Sequence, residues 1–288
     1  MIRRLLLSST LLLLLACHGK QLPMEEGNAV YFWRTELRLD STERAFLSQY
    51  HINKVYCRYF DVVMNDSLGP VPNATLQFSE QPLEGIELIP TVFIVENCMH
   101  QRHEGLARKI VDRILQMNET NDIVGVQEIQ IDCDYTLNSR KTYYAFLEEV
   151  RKEAKAYGLR LSTTIRLHQL SMSIPPADYG VLMLYNTGKP MDFMERNPIL
   201  DYRDVYPYLR YLNDYELPLA AAFPIFLWER TIHGVHIEHQ ADADEILRVK
   251  DAVEKEREEL RRFILIYDLD KDNINRYKPE TYEKIYSH

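Results

Sequence analysis

The segment Glu128-Ile129-Gln130-Ile131-Asp132-Cys133-Asp134 alternates apolar and polar side chains. In a strand this period puts Ile129, Ile131 and Cys133 on one face and Gln130, Asp132 and Asp134 on the other. An unpaired buried carboxylate is costly, so the two aspartates are either paired inside the protein or aimed into a site. Carboxylate pairs also cleave glycosidic bonds, one protonating the leaving oxygen while the other acts as nucleophile or base. Two groups of histidines raise a second chemistry. Cys98, His100, His103 and Glu104 form one, and His233, His236 and His239 the other. A structural zinc site shows closer, paired cysteines. Histidines three apart on a strand face opposite ways, so one ion does not collect them easily. Both groups read as solvated loops, and the expectation is no metal and no cofactor.

The elements that position these residues follow from periodicity. Strand-length apolar runs occur at 29–34, 54–60, 87–95, 128–134, 160–167, 180–186, 218–226 and 261–269. Most are separated by segments of helical period, such as Leu106, Ile110 and Ile114 on one stripe. Asp40 and Glu43 have the spacing of a capping box, and Gly158 closes the helix that starts at Ser139. Residues 65–84 are rich in Pro, Gly and Asn, so the helix between the second and third strands is short, degenerate or replaced by a loop. Five tyrosines between Tyr202 and Tyr215 read as the packing face and edge of the sixth helix. Eight strands alternating with helices in one domain predict an α/β fold, a single (β/α)8 TIM-type barrel spanning 29–288. A doubly wound sheet is the alternative, but no Gly-rich phosphate turn follows the first strand.

In such a barrel the active site lies at the C-terminal ends of the strands. Those ends carry Trp33, Arg58, Glu96, Asp132, Asp134, Arg166, Tyr185, Asn186, Trp228, Glu229 and Asp268. Asp134 is the first catalytic candidate, with Glu229 or Glu96 as its partner. Trp228 beside Glu229 could desolvate it and raise its pKa toward an acid role. Trp33, Arg58, Asp132, Arg166, Tyr185, Asn186, Trp228 and Asp268 are expected to line the site. Flat aromatics beside polar groups suit a sugar ring, which is apolar on its faces and hydroxylated at its rim. Alternation also puts Asp132 and Arg166 inward on adjacent strands, so a structural Asp132–Arg166 ion pair is expected, leaving Asp134 for function.

The first residues, MIRRLLLSSTLLLLLA, have a positive start and a short apolar run typical of a secretory leader, 1–16. Leu14-Leu15-Ala16-Cys17 resembles the lipobox of bacterial lipoproteins, which implies lipidation of Cys17, a tether over 17–28 and a place in the cell envelope. Losing the leader with its two arginines takes the net charge from −9 to −11. That balance disfavours nucleic acid and anionic membrane faces, so the lipid would hold the chain to a bilayer. Of the other cysteines, Cys57 and Cys133 fall inside strands as small buried hydrophobes and Cys98 follows the third, so no essential disulfide is expected. A monomer is expected.

Residues 128–188, with QIDCDYT, LSTTIRL and ADYGVLMLYNTG in order, resemble an uncharacterised bacterial barrel family, domain of unknown function 3142. That resemblance implies a barrel related to glycoside hydrolases. The chain is more distantly similar to chitinase-like hydrolases, whose fourth strand ends in Asp-x-Asp-x-Glu and whose sixth is followed by an assisting tyrosine. Asp132 and Asp134 match the aspartates and Tyr185 the tyrosine, but Thr136 stands where the acid should be. Threonine cannot protonate a leaving group at neutral pH. The sequence therefore implies a carbohydrate ligand, either hydrolysed through another carboxylate or bound without turnover.

Overall fold

The computed structural model describes residues 25–188, 196–232 and 235–288. The leader, Cys17 and His233 lie outside the described residues. Eight parallel strands close into a barrel. They are β1 (Gly27–Phe32), β2 (Ile52–Asn65), β3 (Glu87–Ile94), β4 (Glu128–Asp132), β5 (Arg160–Arg166), β6 (Tyr179–Met183), β7 (Leu219–Pro224) and β8 (Phe263–Tyr267). Each pairs with its sequence neighbours, and β1 pairs with both β2 and β8, which completes the ring. All eight strands coincide with the runs the sequence predicts. β1 starts two residues before the expected domain boundary, because Gly27 and Asn28 already pair with β8.

Six of the helices are α1 (Ser41–Gln49), α2 (Leu106–Thr120), α3 (Arg140–Lys155), α4 (Tyr202–Leu209), α5 (Ala243–Glu256) and α6 (Lys271–Ile274). A seventh, α7 (Pro279–Ile285), closes the chain. The capping box is formed: Asp40 accepts from the Glu43 backbone, and Glu43 accepts from that of Asp40, each at 2.9 Å. No helix follows β2. That strand instead runs on to Asn65 and pairs antiparallel with Gly69–Asn73, turning through Gly69 at φ +74°. No helix among the described residues is long and apolar enough to cross a membrane.

The core has two layers. Between barrel and helices lie residues such as Ile129, Ile131, Cys133, Leu147 and Val150, all fully buried. Inside the barrel Tyr31, Tyr56, Tyr179, Val181, Ala220, Ala222 and Leu265 meet. Cys57, Cys98 and Cys133 are buried free thiols. Of the five tyrosines around α4, Tyr215 is buried and Tyr202, Tyr208 and Tyr211 pack partly buried against the core, while Tyr206 is 62% exposed at the edge.

Gly180 lies on the outer face of β6, where the backbone is closely packed. A Cβ there would lie 2.7 Å from Ile165 Cγ1 and about as close to leucines 217 and 219, at 3.1 and 3.0 Å. Gly180→Ala is therefore expected to destabilise the protein by about 1–3 kcal/mol through overpacking. Urea unfolding should show a lower midpoint at an unchanged slope.

Candidate functional site

The polar residues of the lumen are built from β4 and β5. Their register sets Glu128 beside Arg160 and Gln130 beside Ser162, which brings Thr164 level with Asp132. Thr164 Oγ1 donates to Asp132 Oδ1 at 2.6 Å. Asp132 is 3% exposed, and burial pushes its carboxyl up to about 6, offset in part by the nearby Arg166 charge. Below it Gln130 accepts from Tyr31 at 2.9 Å and donates to Ser162 at 3.3 Å. Glu128, fully buried, accepts from the Ser162 and Tyr179 hydroxyls.

The expected Asp132–Arg166 bond is not formed. Arg166 lies one layer above Thr164, where its Nε donates to Asp134 instead. The cause is the parallel register, which gives Asp132 a hydroxyl neighbour and leaves the arginine for the carboxylate nearer the mouth. Asp134 is half exposed, so this pair straddles the rim. Arg58 does not reach Asp132 either; it binds Asp61 with two nitrogens and lies 5.5 Å from the Trp33 ring centre.

Glu96 opens the short turn after β3. Its carboxylate accepts from Ser139 Oγ at 2.7 Å and Thr136 Oγ1 at 2.9 Å, with His100 Nε2 at 3.0 Å. These partners, Ser139 first, hold it below the usual carboxylate range. Of the Cys98 group, Cys98 is buried, His100 meets Glu96, and His100 and His103 both line a cleft beside Asn65 and Asn97.

The opposite side of the mouth is aromatic. Tyr185 stacks on Tyr267 with centroids 4.9 Å apart, and Tyr267 meets Phe226 at 5.5 Å and Trp33 at 5.6 Å. A cavity of ≈ 540 Å3 opens here, its lining including Asn186, Phe226, Trp228, Tyr267, Asp268 and Asn273. Asp268 accepts from Asn273 Nδ2 at 2.8 Å, and burial together with neighbouring Asp270 pushes its carboxyl up to about 6. Among the buried donors without a partner in the described residues are the Tyr185 hydroxyl and Arg166 Nη1. The Arg166 guanidinium carbon is 5.6 Å from the Tyr185 ring centre, so these orphans are neighbours.

Trp228 and Glu229 begin an antiparallel ribbon, Leu227–Ile232 with Val235–Gln240, that follows β7. Trp228 lines the cavity, whereas Glu229 is exposed. The expected residues thus fall into two groups. Asp132, Asp134, Arg166 and Glu96 gather over β3 to β5, and Asn186, Trp228 and Asp268 line the cavity over β6 to β8. Sequence reasoning missed Tyr267, Phe226 and Asn273. Inward alternation along Phe263, Leu265 and Tyr267 was the available signal for the first; nothing local marks the other two.

No family model matches this chain, and no curated protein is detectably similar to it in sequence. Solved structures share its fold. The spore cortex-lytic enzyme SleL of Bacillus cereus aligns over 93% of this chain and 75% of its own, at 14% identity and a TM-score of 0.58. A chitinase from Chromobacterium violaceum aligns over 90% and 98%, at 12% identity and 0.58. A chitinase domain from Ostrinia furnacalis in complex with penta-N-acetylchitooctaose aligns over 90% and 95%, at 10% identity and 0.55. At these identities the likeness establishes the barrel alone.

Two outcomes follow for the strand-four aspartates. Asp134→Ala leaves the largely buried Arg166 guanidinium without its bond and should destabilise by about 1–3 kcal/mol, the reverse of a purely functional Asp134. Asp132, raised to about 6, keeps a proton in the folded state that the unfolded chain has already released. Its contribution to stability is therefore fully present at low pH and is lost as pH rises from about 4 through 6. Melting curves at pH 7.5 and 5.5 should show wild type gaining stability relative to Asp132→Asn at the lower pH. A pH-independent difference would contradict this.

Proposed function

We propose that this protein binds a glycan chain at the open end of its barrel. The observation that carries the proposal is the ≈ 540 Å3 cavity with Trp228, Phe226 and Tyr267 on its wall and Asn186, Asp268 and Asn273 among its polar groups. An aromatic wall takes the apolar face of a sugar, and convergent polar groups take its hydroxyls. The unpartnered Tyr185 hydroxyl and Arg166 Nη1 offer two further hydrogen bonds to a ligand oxygen. Each is costly to leave buried and unmade. The neighbouring barrels described as chitinases, and the one holding a chitooligosaccharide, support the same ligand class.

Hydrolysis of the bound glycan is the second reading, and Asp268 is the observation that favours it. A recessed carboxyl raised to about 6 beside a sugar-sized cavity suits a proton donor to a leaving oxygen. The base or nucleophile would then come from the opposite rim, where Asp134 is half exposed. The leader and Cys17 extend the proposal to location: a monomeric, lipid-anchored protein of the cell envelope, held by its acylated cysteine with the barrel mouth free for glycan.

A glycan array that includes N-acetylglucosamine oligomers and peptidoglycan fragments tests the binding. Trp228→Ala should weaken the best ligand at least about tenfold, in line with the cost of losing one buried aromatic contact. Product analysis on the same ligand separates the two readings. Release of shorter sugars that Asp268→Asn abolishes establishes hydrolysis, and intact ligand establishes binding alone. No binding to any glycan overturns both.

A further inference from the structure

We propose that the ribbon after β7 carries a divalent transition-metal site made by Glu229, His236 and Glu238. The ribbon's register puts Glu229 directly opposite Glu238 and His236 opposite Thr231. Alternation then sets Glu229, His236 and Glu238 on one face and Trp228 and His239 on the other. One ligand atom from each of the three lies within 4.8 Å of the others. Zinc holds nitrogen and oxygen at ≈ 2.0–2.2 Å, which draws tetrahedral ligands to about 3.5 Å apart. All three side chains are exposed, so rotation about their own bonds closes the difference without moving the backbone.

Charge supplies the reason for a cation. Two carboxylates directly opposite one another on paired strands repel and destabilise the ribbon. His236 Nε2 lies 3.2 Å from Glu238, but Glu229 has no partner among the described residues. A divalent ion turns the repulsion into attraction for both carboxylates. One imidazole nitrogen with two carboxylate oxygens suits zinc and its neighbours better than calcium or magnesium, which prefer all-oxygen shells. Counting histidines alone missed this set, because the spacing sends His236 and His239 to opposite faces. The ligands that complete it are glutamates, one directly across the ribbon. The other face presents Trp228 to the cavity, so an ion would also stiffen that wall.

Calorimetric titration of the chelator-stripped protein with zinc chloride should reveal one site per chain. His236→Ala and Glu238→Gln should each weaken it at least about tenfold, since each removes a direct ligand and losing even a residue that only orients a ligand costs about that much. A His100→Ala/His103→Ala variant should bind as wild type does. Zinc should also raise the melting temperature of wild type but not of His236→Ala. The proposal is overturned if wild type takes up no zinc. Equal binding by a His236→Ala/Glu238→Gln double variant, or loss of binding in the His100/His103 variant, would overturn it too. None of these readouts involves a glycan.

Discussion

Glu128, Gln130 and Asp132 all point into the barrel from β4, and such a row cannot enter an apolar lumen without partners. The facing row on β5, Ser162 and Thr164, meets it level by level with hydroxyls, while Tyr31 and Tyr179 reach across from β1 and β6. This seam favours the observed register, because a one-residue slip would turn Leu161, Thr163 and Ile165 inward in place of the Ser162 and Thr164 hydroxyls. It also explains part of the tyrosine content of the chain. Tyrosine fills the lumen as a large aromatic and still brings a hydroxyl to a buried carboxyl or amide. The barrel interior is held by a polar stack inside an aromatic ring, rather than by layers of aliphatic branches alone.

The seam decides what the mouth can do. With Asp132 bonded by the Thr164 hydroxyl, Arg166 turns its Nε upward to Asp134 at the rim. Across the barrel Tyr185, Tyr267 and Phe226 pack ring against ring, and Trp228 lines the same cavity as Phe226 and Tyr267. The two halves meet where Arg166 lies over Tyr185, and there two unpaired donors, Arg166 Nη1 and the Tyr185 hydroxyl, are neighbours. A ligand oxygen placed between them would complete a network that the protein alone leaves open.

The strands were legible because an eight-fold parallel barrel repeats one local rule, an apolar run ended by polar residues, and each run carried it. The missing second helix was legible for the same reason: Pro70, Pro72 and Asn73 break any helical period, and the chain there pairs as strand instead. Partnerships at the site were not legible. Whether Asp132 meets Thr164 or Arg166 depends on a shift of one layer between strands thirty residues apart, and nothing in either strand encodes it alone. Glu229 was placed at the mouth by adjacency to Trp228, yet the ribbon turns successive residues to opposite faces. The indole faces the cavity while the carboxylate faces away from it.

The surroundings of Thr136 follow from the same geometry. Thr136 donates its hydroxyl to Glu96, and Ser139 does likewise from the start of α3. A carboxylate thus stands next to Thr136, but it arrives from β3 and is surrounded by donors. Hydrogen bonds to the charged form favour ionisation, so this carboxylate keeps no proton to give at neutral pH. Asp132 holds its proton more tightly but is sealed below the rim. Asp268 combines a raised pKa with access to the cavity, because it ends β8 where the aromatic wall opens.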